Sequence, residues 1–369
     1  MQFIKYELKR IFVKPSTYIV LFVIPVLFVL IGGIFFNSLA SSNLKVGVYS
    51  EDKSPLSKFT VGVVMSLFRG GTIQYVGKDY LELLKKGELH AVVVIPNGFT
   101  NGLFTGRQTE IKYIPSPVDT QLSAAAYLVF QKMFEDLSGG PFFNPKVLQQ
   151  MYTSSSVPAP KLVTENDLDF DRVFAPSLIL LITMFVALMI GASTFVGDKE
   201  TKFIRVISVG KARFSQYFLS KFLVTVAISC ISGLVAYLVF LPSDMSVSVN
   251  DVLVLILFTS LFHSALGIFV SSLSRNYLIS NLLGTALSIL LIFSSGILTS
   301  ISSLPRFVRN MLNFVPIYNS VYLLRLEQLF GAGSVNMQMF LKNSAVITTL
   351  TCGFLIVSFL VVKRETTPR

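Results

Sequence analysis

Few side chains in this 369-residue sequence are placed to do chemistry. The densest group is Asp198–Lys221, with six Lys/Arg and two acids between the uncharged runs Val173–Gly197 and Phe222–Ser243. Its first part sets the charged Asp198, Lys199, Glu200, Lys202 and Arg205 against the apolar Phe203, Ile204, Val206 and Ile207. That pattern predicts a short amphipathic helix along a membrane face, with a surface that a cytoplasmic protein could grip. Other ionisable residues stand apart. His263 is alone in an apolar run, where packing is the expected role and path lining the lesser one. Glu327 and Arg325 are expected to pair at headgroup level, with a lumen-facing Glu327 as the second reading. His90, just before a strand-like run, is expected at the surface. Cys230 and Cys352 fall in apolar runs and read as small core residues. No Ser/His/Asp or Cys/His set and no metal-ligand spacing occurs, and GxxxxGK[ST] is absent. Catalytic, cofactor-binding and metal-binding residues are therefore assigned nowhere, and no enzyme activity is expected of this chain.

What must position these residues is a membrane. The sequence is 52% hydrophobic and 14% charged, too apolar for an ordinary soluble protein. Six runs of roughly 20 residues or more could each cross about 30 Å of hydrocarbon. They are Thr17–Phe36, Val173–Gly197, Phe222–Ser243, Val252–Ser274, Tyr277–Ser300 and Asn343–Val362. Residues 1–16, 198–221, 275–276 and 363–369 together hold 14 Lys/Arg and 4 Asp/Glu, whereas residues 37–172 hold 13 of each sign. The net charge of +11 thus sits where basic loops stay cytoplasmic beside anionic lipid. Both termini are expected inside, and no nucleic-acid partner is needed to explain the basicity.

In chain order, residues 1–16 predict an amphipathic elbow helix. Ile4, Leu8, Ile11 and Phe12 share one face, with Lys5, Lys9 and Arg10 elsewhere. Thr17–Phe36 is too long for a signal peptide's apolar region and is read as a retained first transmembrane helix, kinked at Pro25. Residues 37–172 predict an inserted extracellular α/β domain with a connector. Its strands are expected at Lys45–Tyr49, Ile73–Val76, Ala91–Ile95 and Ile111–Ile114. Its helices are expected near Leu56–Phe68, Tyr80–Lys86, Phe99–Phe104 and Thr120–Leu137, and residues 138–169 read as irregular. Residues 173–369 supply five more spans, with outer half-helices in 301–342 broken by Pro305 and Pro316. The fold class is membrane α-helical with six transmembrane helices.

The arrangement resembles the type-2 ABC exporter permeases, in the branch with a large outer domain between the first two spans. The resemblance runs through LKVGVYSEDKSPLSKF, the pattern at Val94–Gly106, and LPRFVRNMLNFVPIYNSVYLLR. Asp198, Glu200 and Lys221 match that family's coupling segment, while Lys202–Phe203 stands for its usual Gly-Thr, Lys211 for its Pro and Ser220 for a common Gly. The resemblance implies an exporter subunit in a prokaryotic plasma membrane, paired with a second permease copy or paralogue. Cytoplasmic ABC ATPase subunits would dock on Asp198, Lys199, Glu200, Phe203, Ile204, Arg205 and Ile207, and drive the elbow helix as well. Spans rich in Phe, Ser, Thr and Leu suit an amphipathic, lipid-like or drug-like cargo. The alternative is a membrane-anchored surface receptor or envelope-assembly protein acting through its outer domain. An ion-coupled carrier is disfavoured by the nearly charge-free spans.

Overall fold

The computed structural model describes residues 2–13, 18, 23, 44–54, 71–105, 107–136, 161–164, 170–209, 213–239, 247–297, 301, 304–331, 335 and 337–366. All but two residues of the first-span reading Thr17–Phe36, the helix near Leu56–Phe68 and most of the connector lie outside these residues. The chain divides into two units: a helical one of Met1–Gly32, Phe174–Thr299 and Pro305–Arg369, and an α/β one of Gly33–Val173 with Ser300–Leu304.

The α/β unit is built on a five-stranded sheet of order β2-β1-β3-β4-β5. Its elements are β1 (Leu44–Ser50), β2 (Gly71–Tyr75), α2 (Tyr80–Lys86), β3 (Ala91–Ile95), α3 (Phe99–Phe104), β4 (Glu110–Pro115), α4 (Thr120–Asp136) and β5 (Lys161–Val163). β1 runs parallel to β2 and β3, β4 is antiparallel to β3, and β5 is parallel to β4. The central strand β3 reads AVVVI and is buried at every position, the continuous apolar run of a strand covered on both faces. β4 alternates exposed and buried residues. β5 pairs Leu162 with Ile111 inside the segment read from sequence as irregular, a correction of that reading. Three residues flanked by Pro, Ser and Thr leave no two-residue periodicity to detect. Asp119, fully buried at the head of α4, accepts a bond from Ile301 N at 2.6 Å, which ties Ser300–Leu304 into this unit.

The helical unit contains α1 (Gln2–Phe12), α5 (Phe170–Thr194), α6 (Val196–Glu200), α7 (Phe203–Val209), α8 (Phe214–Val239) and α9 (Val249–Leu273). It continues through α10 (Tyr277–Ser294), α11 (Arg306–Leu312), α12 (Pro316–Phe330) and α13 (Met337–Thr366). Among the described residues five helices are long and apolar enough to cross a membrane: Phe174–Glu200, Phe214–Val239, Val249–Leu273, Tyr277–Ser294 and Met337–Arg364. Of these, Phe214–Val239 starts eight residues earlier than the uncharged run Phe222–Ser243, so Lys221 lies two turns inside a helix rather than in a loop.

α9 is the central helix, packed against α8, α12 and α13. It also meets α5 backbone to backbone: a Cβ on Gly191 would stand 3.0 Å from Gly267 Cα, and one on Gly267 2.7 Å from Leu188 O. Small residues at this crossing let the two spans approach, which is how helices associate where lipid is as apolar as Leu. α12 is buried along most of its length by protein, with Arg325 donating to Ser177 Oγ at 3.3 Å and to Gly296 O at 3.2 Å. Glu327 turns elsewhere, accepting from Ser248 N at 2.9 Å and sharing a hydrogen bond with Asp251. The Arg325–Glu327 ion pair expected from sequence is thus absent from the contacts of the described residues, because the two side chains leave α12 toward different neighbours.

Candidate functional site

The charged stretch after Gly197 forms two short helices, α6 and α7, rather than one. The hinge between them is Lys202, whose φ of 57° is the only positive φ at a non-glycine position among the described residues. A left-handed turn there explains why glycine suits that position, and why Lys is strained in it. Before α6 the second span is interrupted at Phe195, and the interruption frees backbone groups inside the protein. Ser271 Oγ accepts from Phe195 N at 2.9 Å and from Val196 N at 3.1 Å, and Lys221 Nζ donates to Thr194 O at 3.2 Å.

Four charges gather at this break. Asp198, at 1% exposure, sits 2.5 Å from Arg10 Nη1 and 2.7 Å from Lys221 Nζ, and it also accepts from Tyr217 OH. Glu7 lies 3.0 Å from Lys221 Nζ and 3.7 Å from Arg10 Nη1. Two cations and two anions thus join α1, α6 and α8 in a neutral cluster. Lys221 is roofed by the rings of Tyr217 and Phe195, at 5.3 and 5.7 Å from their centroids. Burial works to lower the Arg10 pKa, but Asp198 and Glu7 more than reverse this and leave it raised, so its charge is permanent.

The neighbouring charges also bond to the helical bundle. Lys199 Nζ donates to Ser272 O at 2.6 Å and to Ser274 O at 3.3 Å, capping the C-terminal end of α9 where a cation is favoured. Glu200 accepts from Tyr277 N at 2.7 Å, at the N-terminus of α10 where an anion is favoured. Ile204 and Ile207 are buried in a cluster with Phe195, Tyr217, Phe218 and Val362, and Phe203 packs against it. The apolar face of α7 therefore docks on protein instead of lipid. Tyr6 of α1 stacks on Phe203 and Phe3 meets Tyr217 edge-on. The backbone of Arg205 lies in α7. What the hairpin presents outward is Glu200, Thr201, Lys202 and Val206, the last 65% exposed, together with Lys5 and Lys9 of α1. An open groove of about 580 Å³ adjoins it, lined by Glu200, Asn276, Tyr277, Leu278, Asn281, Leu282 and Thr285.

Sequence reasoning assigned Asp198, Lys199 and Glu200 to the coupling segment and Arg10 to the elbow helix, and the structure brings the four to one junction. It missed Glu7, Tyr217 and Ser271. Their signal was weak: Glu7 is the single acid of residues 1–16, and Tyr217 lies one turn before Lys221. His263 is buried among the spans, its Nδ1 on Thr259 O at 2.7 Å, in the position of a packing residue.

In the α/β unit His90 is buried, not at the surface, because its Nδ1 takes the Lys45 amide at 3.0 Å on the strand edge. Asp119 Oδ2 lies 3.9 Å from His90 Nε2, and Ser123 donates its hydroxyl to His90 O. The types Ser, His and Asp do meet here, but without nucleophilic geometry. The Ser123 hydroxyl is fully buried and held by main-chain groups, where a triad serine would face the ring and a substrate. Burial first, and Lys45 after it, hold the imidazole below its ordinary pKa against the pull of Asp119.

Two comparisons bear on this arrangement. The family model described as ABC-2 family transporter protein matches residues 15–362, nearly the whole chain. A search of curated proteins found no match.

Proposed function

The chain belongs to the ABC-2 transporter family, and on that premise we propose that it is the membrane subunit of an ATP-driven exporter that takes its mechanical work through the α6–α7 hairpin. The observation that carries this reading is the buried four-charge cluster. A segment pushed by a motor must transmit displacement rather than bend, and this one is riveted to α1, α8, the end of α9 and the start of α10. Close-packed elements tied in this way move as bodies, not as springs. Cytoplasmic ATPase subunits would press on Lys202, Val206 and the exposed Lys5 and Lys9, while Asp198, Lys199 and Glu200 pass the displacement inward.

On this reading the chain carries no ATP chemistry of its own, and ATPase activity resides in the partner. A second permease copy or paralogue completes the path, and the groove beside Glu200 and Leu282 supplies part of its wall. The cargo is amphipathic or lipid-like, since the spans offer apolar and hydroxyl side chains with hardly a charge. The outer α/β unit faces away from the ATPase, both termini are cytoplasmic, and the membrane is a prokaryotic inner membrane. The test is co-expression with a candidate ABC ATPase subunit and reconstitution in lipid. The permease is expected to co-purify with that subunit, and Val206→Asp to weaken the complex while the permease stays folded. An unchanged complex with Val206→Asp would remove the docking role from α7.

A further inference from the structure

The helix α11 carries an exposed apolar face. Phe307, Met311 and Phe314 are 71%, 56% and 72% exposed, and their four- and three-residue spacing puts them on one face, with the exposed Val308 beside them. Arg306, Arg309, Asn310 and Asn313 fall on the opposite face, and Leu312 alone is buried. The next helix, α12, is covered by protein along most of its length. The backbone of α11 is fixed: Pro305 sets its entry, Phe314 N donates to Met311 O, and Asn313 O takes the side chain of Asn319.

Three facts choose the occupant of this face. The chain between Ser300 and Leu326 contains Arg306, Arg309 and Arg325 and no acid. Arg325 is buried on protein acceptors, so the basic charge offered outward is that of the exposed Arg306 and the half-buried Arg309. Finally, α12 meets α9 at its Ser248 end, opposite the Ser272–Ser274 end that holds Lys199. The segment containing α11 therefore lies at the far end of the bundle from the α6–α7 hairpin. Large apolar side chains on one face of a helix and arginines on the other match the boundary between acyl chains and anionic headgroups.

We infer that α11 is an anchor for anionic phospholipid in the outer leaflet, with Phe307, Met311 and Phe314 in the acyl region and Arg306 and Arg309 on headgroup phosphates. The inference deepens the membrane orientation proposed above and rests on it. It gives the outer segment a lipid-sensing surface at the end of the bundle where cargo would leave.

The sequence contains no tryptophan, which makes the test direct. Phe314→Trp places a single indole on the apolar face, and Ile356→Trp places one on the exposed side of α13 as a membrane control. The full permease is reconstituted in nanodiscs of phosphatidylcholine with or without phosphatidylglycerol, and fluorescence is quenched by brominated lipid or by aqueous acrylamide. The Phe314→Trp indole should be quenched by lipid brominated near the glycerol backbone and shielded from acrylamide. Quenching should favour brominated phosphatidylglycerol by up to about fivefold per arginine. Arg306→Gln with Arg309→Gln should abolish that preference and leave the Ile356→Trp signal unchanged. An indole open to acrylamide, or shielded from both quenchers by a second copy of the chain, overturns the anchor. So does lipid quenching without headgroup preference. Failure of lipid quenching at Ile356→Trp as well would bring down the membrane orientation itself.

Discussion

Replacing Lys221 with Met removes one cation from the four-charge cluster and keeps much of the side chain's volume. The ammonium stands 2.7 Å from Asp198 and 3.0 Å from Glu7 and is almost wholly buried, so both carboxylates are left sharing Arg10. Breaking a buried ionic network by removing one partner costs about 3–5 kcal/mol, chiefly because an uncompensated charge stays behind. At about 1.4 kcal/mol per factor of ten, that is a hundredfold to a few thousandfold, roughly, in a local opening equilibrium. The element expected to open is α1, held to α8 by this cluster and by Ile4, Leu8, Ile11 and Phe12 against Val224 and Ile228. Hydrogen exchange of the α1 amides in nanodiscs reads that equilibrium. Adding Glu7→Gln to Lys221→Met restores neutrality, with Arg10 still on Asp198, and should recover about 1–3 kcal/mol as a coupling energy. Exchange that rises less than about tenfold in Lys221→Met, or a double variant whose losses simply add, would refute the idea that charge balance holds the junction.

Burial, with Asp251 in support and against the Ser248 amide, lifts the Glu327 carboxyl from 4.5 to about 7. The folded state then holds more protons than the unfolded one between those values, so stability falls as pH rises from about 5 through about 7 and levels off above. Thermal unfolding midpoints should follow that course, and Glu327→Gln should flatten it; an identical slope in the variant contradicts the assignment. Lys202→Gly relieves a left-handed backbone at the hinge and, after the entropy that glycine loses on folding, should stabilise by about 0.5–1 kcal/mol in a denaturant titration. Gly267→Val drives a side chain into the α5 main chain and should cost about 3 kcal/mol or more, whereas Gly353→Ala, with open space around it, should be neutral. Equal unfolding midpoints for those two variants would show that the α5–α9 crossing is looser than drawn.

How much of this was legible in the sequence depends on the range of the interaction. Spans and strands came through because uncharged runs and alternation are local signals, and Ala91–Ile95 is a strand in the sequence reading and in the structure alike. The charged hairpin was visible as a place, but not as a structure. Charge next to an apolar run reads as solvated, and only the approach of α1 and α8 turns Asp198 and Lys221 into buried partners. Ending the basic island at Lys221 hid the fact that this lysine sits inside α8, where a buried cation requires acids from elsewhere. His90 was misplaced for the same reason. A histidine before a strand has no local mark of burial, and the Lys45 amide and Asp119 that enclose it come from distant parts of the chain.

The central claim is that work enters through the outward face of α7. The measurement that tests it most directly uses a chain with Cys230 and Cys352 replaced by alanine and Val206→Cys added, in cells that also express the ATPase subunit. The account predicts that a membrane-impermeant maleimide labels this cysteine in inside-out vesicles but not in intact cells, and that a short bifunctional reagent links it to the ATPase. Labelling from outside intact cells, or a cysteine that never reaches the ATPase, would contradict it.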